Sequence, residues 1–416
     1  MIRAPFLFRP ALHYVPMKIT RRVFSFFLFL APLVFSVAGG SADQPAANRK
    51  YLVFVGTYTT KTESKGIYGY EFDADTGKLM PKGIAAETPD PSWVAVHPSG
   101  KFLYAANEAG KTSTVSAFAV DAKSGKLTLL NQIPSLGEDP CYLSFDKTGK
   151  YVLVANYSSG TIAVFPILAD GRLGEHTAMV KDQGGTGPNK ERQEGPHAHW
   201  IGTSSDNRFA LVADLGLDEV LIYRFDANKG MLSRNDPPLM TVPLLLAISW
   251  RGVKVNPGAG PRHFAFHPNG KFGYVLNEMD ATVIAFSYQR NNGALSFLQT
   301  IATLPKGFSR RNDAAEIAVH HSGKFVYTSN RGHDSIAIFA IDPAKGTLTF
   351  VAHVPTAGKV PRNFAIDPSG KYLLAENQFS NNIVVFRINP ATGGLTPTGQ
   401  VVEVPSPVDL TFLPME

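Results

Sequence analysis

Apolar and polar positions alternate along most of this chain in short runs, separated by turns rich in Gly, Asp, Asn, Ser and Pro. A period of two predicts strands with one buried face, and turns of this composition predict that neighbouring strands return antiparallel. The turns themselves recur. A segment of the type Asp-x-x-x-Gly-x-Leu, or a close variant, occurs seven times: DADTGKL (73–79), DAKSGKL (121–127), LADGRL (168–173), DANKGML (226–232), QRNNGAL (289–295), DPAKGTL (342–348) and NPATGGL (389–395). Their glycines, at 77, 125, 171, 230, 293, 346 and 393, are 48, 46, 59, 63, 53 and 47 residues apart. A strand-built repeat of roughly 40–50 residues is the signature of a β-propeller blade. The pattern predicts an all-β, seven-bladed β-propeller of four-stranded antiparallel blades.

A second repeat orients each blade. HPSGKFLYAANE (97–108), DKTGKYVLVANY (146–157), SSDNRFALVADL (204–215), HPNGKFGYVLNE (267–278), HHSGKFVYTSNR (320–331) and DPSGKYLLAENQ (367–378) align without gaps. Each reads as a tight turn entering a strand. The seventh copy is missing because the termini share a blade. YLVFVGTY (51–58) looks like a second strand without its first, and PVDLTFL (407–413) like a first strand without its second. The C-terminal strand is expected to close the first blade and remove the open edge.

The first 38 residues follow another pattern and are expected to be a signal peptide, with Met17 a possible start. Arg3, Arg9, Lys18, Arg21 and Arg22 precede an apolar run at 23–37, and Ser36-Val37-Ala38 offers a cleavage site. Thr20-Arg21-Arg22-Val23-Phe24 resembles a twin-arginine export motif. A retained membrane anchor is disfavoured, because the run is short for a bilayer span of about 20 residues. Residues 39–50 then form a linker and 51–416 the propeller. The expected location is periplasmic or secreted. Removing residues 1–38 takes Lys and Arg from 40 to 35 against 34 acids, so the mature chain is near +1 instead of +6. The basic balance belongs to the signal and gives no argument for nucleic acid. Cys141 is the one cysteine, so no intrachain disulfide forms.

In a propeller both recurring tight turns lie on one face. The opposite face receives the ends of second strands, the starts of first strands and the variable connections, here 181–196, 242–261 and 305–313. Functional residues concentrate on such loops, so the channel mouth on this face is the default site. At the starts of inner strands stand Ser92-Trp93, Cys141-Tyr142, His199-Trp200, Arg262-His263, Ala315-Glu316 and Arg362-Asn363. At the ends of second strands stand Glu108, Tyr157, Leu215, Glu278, Arg331 and Gln378, with His197 and Asp214 close by. A purely structural repeat needs the same residue at every copy; here equivalent positions diverge into His, Arg, Glu, Tyr and Trp. A competing reading makes Arg262 and Arg331 structural partners of Glu278 and Glu316. His197 and His199 are two apart, but on an extended segment they point opposite ways, which disfavours a chelate. His97, His267, His320 and His321 lie in the opposite-face hairpins and read as turn residues; Trp93, Tyr142 and Trp200 suit packing as well as a substrate platform.

GPRHFAFHPNGKFGYVLNE, PHAHW, VADLGLDEVLIY and the YTSNR segment resemble the seven-bladed lactonase family, which includes propeller-type 6-phosphogluconolactonases and carboxymuconate-cyclising enzymes. The resemblance implies a catalytic His at His197, with His199 as competitor, together with Arg262, Glu278 and Arg331. His199, His263, Arg362, Tyr157 and Glu316 are then expected to bind substrate. The chemistry it implies is metal-independent opening of a sugar-acid lactone by water, with no cofactor. Glu278 or His197 would act as base, Arg262 would stabilise the oxyanion, and Arg331 with Arg362 would hold the substrate's anionic group. The expected partner is a small-molecule lactone, and the expected state a monomer. Apparent export puts the phosphorylated substrate in question. A carboxymuconate-type lactonising enzyme, a non-catalytic secreted binding propeller and a calcium-dependent gluconolactonase are the alternatives.

Overall fold

The computed structural model describes residues 49–235 and 252–415. The expected signal peptide and nearly all of the linker lie outside the described residues. Those described fall in one compact unit, Ala47–Glu416. Seven antiparallel sheets follow one another along the chain, and four strands make up each blade. Among the described residues no helix is long and apolar enough to cross a membrane.

The first blade is built from both ends of the chain. Lys50–Thr57 pairs on one side with Gly66–Asp73 and on the other with Pro407–Pro414, in register Val53↔Phe412 and Val55↔Leu410. The C-terminal strand is therefore the inner strand of blade one, as the sequence pattern predicts. Side chains from blades seven and one also share a core, with Val53, Val55 and Phe72 packed against Tyr372, Leu374 and Val385. Similar apolar layers fill the other blade interfaces, for example Leu153, Val164, Ile201 and Val212 between blades three and four.

Why the turns repeat is visible in their contacts. At six of the seven blade junctions an aromatic residue opening the second strand of one blade lies over the turn glycine of the next; at Gly125 its place is taken by Leu52. A Cβ on Gly346 would sit 2.3 Å from Phe272, and one on Gly171 2.2 Å from Phe102. Both glycines have positive φ (73° and 86°), so geometry and space each exclude a larger residue. Two residues farther along, a buried tyrosine donates its hydroxyl to that same glycine's carbonyl: Tyr104 to Gly171 (2.7 Å), Tyr274 to Gly346 (3.1 Å) and Tyr327 to Gly393 (2.8 Å). The hairpin histidines do more than occupy turns. His97, His267 and His320 each bond through Nε2 to the hairpin-glycine carbonyl of the following blade, Gly149, Gly323 and Gly370, at 2.8–2.9 Å.

One expectation needs correction. Of the span 242–261 expected at the mouth, residues 255–261 lead there, with Gly258 near Arg192 and the Gly260 carbonyl accepting from the Glu278 amide at 2.7 Å. Gly252–Lys254, in contrast, is a piece of blade four's outer strand, paired with Glu219–Leu221. The other piece, Met231–Arg234, pairs with Tyr223–Asp226 of the same neighbour. The long blade period thus reflects an interruption of an edge strand, where extra residues break no second ladder. Residues 236–251 themselves lie outside the described residues.

At the mouth, the register of every inner strand slips. Ser92, Cys141, His199, Arg262 and Arg362 are each skipped by the pairing, as are Ala315-Glu316 in blade six and Val408 in blade one. A bulge frees one residue from the ladder and re-aims its side chain. Repeated around the ring, it presents one residue or residue pair per blade to the channel.

Below this ring the channel holds three acids. Asp409 accepts from the Val94 amide and the Asn363 side chain, both at 2.6 Å, and Glu316 pairs with His263. Glu376 is fully buried, and neither carboxyl oxygen has a hydrogen-bond partner. Burial pushes its pKa well above the usual carboxylate range, and Asp409 and Glu316 add to the rise.

Two outcomes follow from these contacts. Gly346→Ala is expected to cost roughly 2 kcal/mol or more, read as a lowered Tm, from strain plus the clash with Phe272. Glu376 has a raised folded pKa, so it favours the folded state below its unfolded value and loses that advantage as pH climbs. Glu376→Gln should therefore match the parent near pH 4 and melt progressively higher than it between pH 5 and 8. A gap between the two melting curves that does not change with pH would mean that Glu376 ionises normally.

Candidate active site

The ends of the second strands and the inner-strand bulges meet in a mouth cavity of about 290 Å³. Its centre is Glu278, at the end of blade five's second strand and 4% exposed. Three guanidinium groups converge on this carboxylate. Arg192 Nη2 lies 2.7 Å and Arg331 Nη2 3.1 Å from Oε1, and Arg262 Nε lies 3.0 Å from Oε2. Only the Arg192 contact has hydrogen-bond geometry; Arg262 Nε and Arg331 Nη2 are off line and lack a hydrogen-bond partner. Burial would raise the Glu278 pKa, but Arg331, Arg262 and Arg192 together outweigh it and hold the group at about 2. Glu278 is thus an anion at any working pH and a weak proton acceptor. It gathers three arginine side chains around one anion.

His199 lines the cavity and is 5% exposed. Its Nδ1 lies 3.5 Å from Cys141 Sγ, and the ring meets Tyr157 and His263 edge-on. Burial, then Arg262, His263 and Arg362, hold its pKa well below the ordinary value, so the imidazole is neutral. Cys141 also faces the cavity, where burial keeps its thiol protonated. Arg362 rests over the Tyr58 ring at 5.1 Å and lies 3.9 Å from Glu108, which also accepts from the Tyr58 hydroxyl at 2.7 Å.

The nine residues singled out by sequence are placed in three groups. Tyr157, His199, Glu278, Arg331 and Arg362 line the cavity together. Arg262, His263 and Glu316 line a smaller space beneath it, which shares Cys141 and Arg362 with the cavity above. There His263 Nδ1 bonds Glu316 at 2.8 Å, and burial lowers the His263 pKa to about 4. Arg262 is 2% exposed, donates to the Ala315 carbonyl and reaches Glu278 from below. Burial and the neighbouring Arg331 and Arg362 bring its pKa down to about 10, which leaves it charged at neutral pH. Glu316 therefore partners His263, while Arg262 and Arg331 share Glu278.

His197 stands apart. It stacks on the outer side of Tyr157 at 4.6 Å, bonds the Tyr157 carbonyl through Nδ1 at 3.0 Å and turns Nε2 toward Glu194 at 3.1 Å. Its amide is held by Asp214. The two histidines do face different ways, and the one in the cavity is His199. Trp93 and Tyr142 lie below with ring centroids 4.1 Å apart and pack against the His263 ring. Arg192, Arg311 and Asp313 also line the cavity; Arg192 and Arg311 sit on connections, where no sequence repeat singles them out, and Asp313 opens blade six's inner strand opposite Arg331. The extra length of 181–196 was the available signal for Arg192.

Known proteins share this architecture over most of the chain. The family described as Lactonase, 7-bladed beta-propeller, matches residues 52–412. The 6-phosphogluconolactonase of Bacillus subtilis is 37% identical over 318 residues, covering 76% of this chain and 85% of that protein. The crystal structure of a 6-phosphogluconolactonase from Bacteroides fragilis, described there as unproven in that role, superposes with TM-score 0.79 at 38% identity, covering 89% of this chain and 99% of the other. The periplasmic gluconolactonase of Pseudomonas aeruginosa gives TM-score 0.79 at 33% identity, covering 88% and 100%. With the matching segment spanning all seven blades, the chain belongs to the seven-bladed β-propeller lactonase family.

Proposed function

We propose that this protein hydrolyses the ester of a sugar-acid lactone at the channel mouth, by direct attack of water and without a metal, and that it acts after export. The observation that carries the reading is the pairing of a neutral, buried His199 with guanidinium groups that Glu278 orients but does not saturate. Water attacks the lactone carbonyl carbon while His199 accepts its proton. Negative charge then develops on the carbonyl oxygen beside Arg331 and Arg362, with Arg262 adding its field from the floor. Collapse breaks the bond to the ring oxygen, which takes the proton back from His199 as the sugar acid leaves. The low His199 pKa suits this cycle, because the imidazole begins unprotonated. An anionic substrate would offset the arginines that depress it and so strengthen the base once bound.

Metal independence is supported by the donor chemistry. The carboxylate at the centre of the cavity is already engaged by three cations, and a divalent ion would have to displace them. An anionic substrate is favoured by charge: Arg192, Arg311, Arg331 and Arg362 line the cavity against Glu108, Glu278 and Asp313, and Arg262 lies beneath. Relatives named as 6-phosphogluconolactonases support the sugar-lactone class, and the periplasmic location of the Pseudomonas aeruginosa relative supports export.

The test is hydrolysis of 6-phosphogluconolactone and of unphosphorylated gluconolactone by the purified protein, with and without chelator. Chelator-resistant opening of either lactone is expected, and the absence of any rate above spontaneous opening would sink the reading. Arg331→Ala should lose roughly 10²–10³-fold in kcat/KM, and His199→Ala on the order of 10²-fold, with Tm little changed in each. Since His199 must be unprotonated and its pKa is depressed, kcat/KM should hold level as pH falls from 8 through 6. An acid limb centred near 6.5 would instead point to an ordinary histidine as base.

A further inference from the structure

Arg192 reaches the active cavity from outside the blade repeat. Its loop, between blades three and four, is built to aim it. Asn189 caps a tight turn, its side chain accepting from the amides of Glu191 and Arg192 at 3.1 and 3.2 Å. Gln193 is fully buried: its amide nitrogen donates to the Leu215 carbonyl at 2.9 Å and its amide oxygen accepts from the Asn189 backbone. A Cβ on Gly187 would sit 2.2 Å from that buried amide, so the loop closes tightly around its anchor. With Gln193 anchored inside, the side chain of its neighbour Arg192 projects into the mouth.

What Arg192 touches distinguishes it from the other arginines on Glu278. Arg262 and Arg331 have side chains 3% and 13% exposed, whereas that of Arg192 is 31% exposed. It spans from Glu278 at 2.7 Å to the Tyr157 hydroxyl at 3.2 Å, with Asp313 at 3.9 Å. It also lines two spaces, the 290 Å³ cavity and a neighbouring groove of about 560 Å³ that holds Arg310 and Arg311. Arg192, with Arg311 and Asp313, thus lines both spaces; the groove beyond carries Arg310 alongside Glu191 and Asp280.

We propose that Arg192 is a specificity-determining residue of this site, binding the phosphate or carboxylate that a lactone substrate carries away from its reacting ester. This rests on the lactonase reading given above and names the substrate class of the same cavity. A guanidinium on a pinned loop is a preorganised fork for such an anion, and engaging it needs only rotation of a partly exposed side chain. Arg262 and Arg331 stay on Glu278 throughout, so the reacting end keeps its charge balance.

The experiment compares the full-length wild type, Arg192→Ala and, as a control on the same loop, Lys190→Ala, on 6-phosphogluconolactone and gluconolactone. Arg192→Ala is expected to lose about tenfold or more in kcat/KM on the phosphorylated lactone, mainly through KM, and less than about threefold on the neutral one. Lys190→Ala should leave both unchanged. Equal losses on the two lactones, or none, would overturn the assignment. Calorimetric titration of 6-phosphogluconate separates this from failure of the hydrolytic reading. If the wild type opens neither lactone, that reading falls, yet weaker 6-phosphogluconate binding by Arg192→Ala would still support the anion site. Undiminished binding by the variant, or no binding by the wild type, would refute it. Should the alanine variant melt early, Arg192→Lys is read in its place, with about a threefold loss confined to the phosphorylated ligand.

Discussion

The contact on which this structure depends is the one between a turn glycine and the aromatic residue of the blade before it. A blade of four strands has two apolar faces and cannot bury either alone, so it is stable only against neighbours. The glycine lets an aromatic ring settle directly on turn backbone, and the tyrosine two residues on bonds the carbonyl exposed there. Hairpin histidines repeat the device on the following blade. These latches lie on the face opposite the mouth. Because blade-to-blade spacing is set there, residues at the mouth are released from holding the ring together.

That division explains how a buried cluster of like charges is tolerated. Three guanidinium groups around one carboxylate leave excess positive charge in a desolvated space, which a flexible scaffold would relieve by moving apart. Here the inner strands are fixed by pairing, by the latches and by closure through the C-terminal strand. The bulge then presents one residue or residue pair per blade at fixed height, so charged side chains are added without rebuilding the ladder. The depressed pKa values of His199 and His263 follow from this burial and crowding.

The fold was legible in the sequence because each blade repeats its local chemistry. The seven Gly-x-Leu turns and the six hairpins reflect contacts that recur from blade to blade, and the half-blades at the termini reflect closure of the ring. The site was legible only where it used repeat-equivalent positions, as Arg262, Glu278, Arg331 and Arg362 do. His197 and His199 were harder to separate, since they differ by a bulge at Ala198/Trp200 that alternation alone does not reveal. Arg192 was not visible, because a loop residue has no equivalent to be compared with. Within the span 242–261, Gly252–Lys254 escaped notice for a related reason: excess blade length shows that residues are added, and not whether they enter a connection or an edge strand.

The state of Glu278 bears on how such a site discharges its product. A carboxylate with a pKa near 2 is a poor base, but it is a permanent anion placed among the cations to which the proposed reaction assigns the substrate. Without it, a sugar acid released by hydrolysis would face several uncompensated guanidinium groups and be held tightly. With it, Arg192, the arginine proposed to turn to the substrate's anionic group, has a partner to return to when the product leaves. The off-line contacts of Arg262 and Arg331 fit this balance, since their hydrogen-bonding capacity is oriented by Glu278 and left open to an incoming oxyanion. On this view the carboxylate limits ground-state binding and leaves transition-state stabilisation intact, which is the condition for turnover at a strongly cationic site.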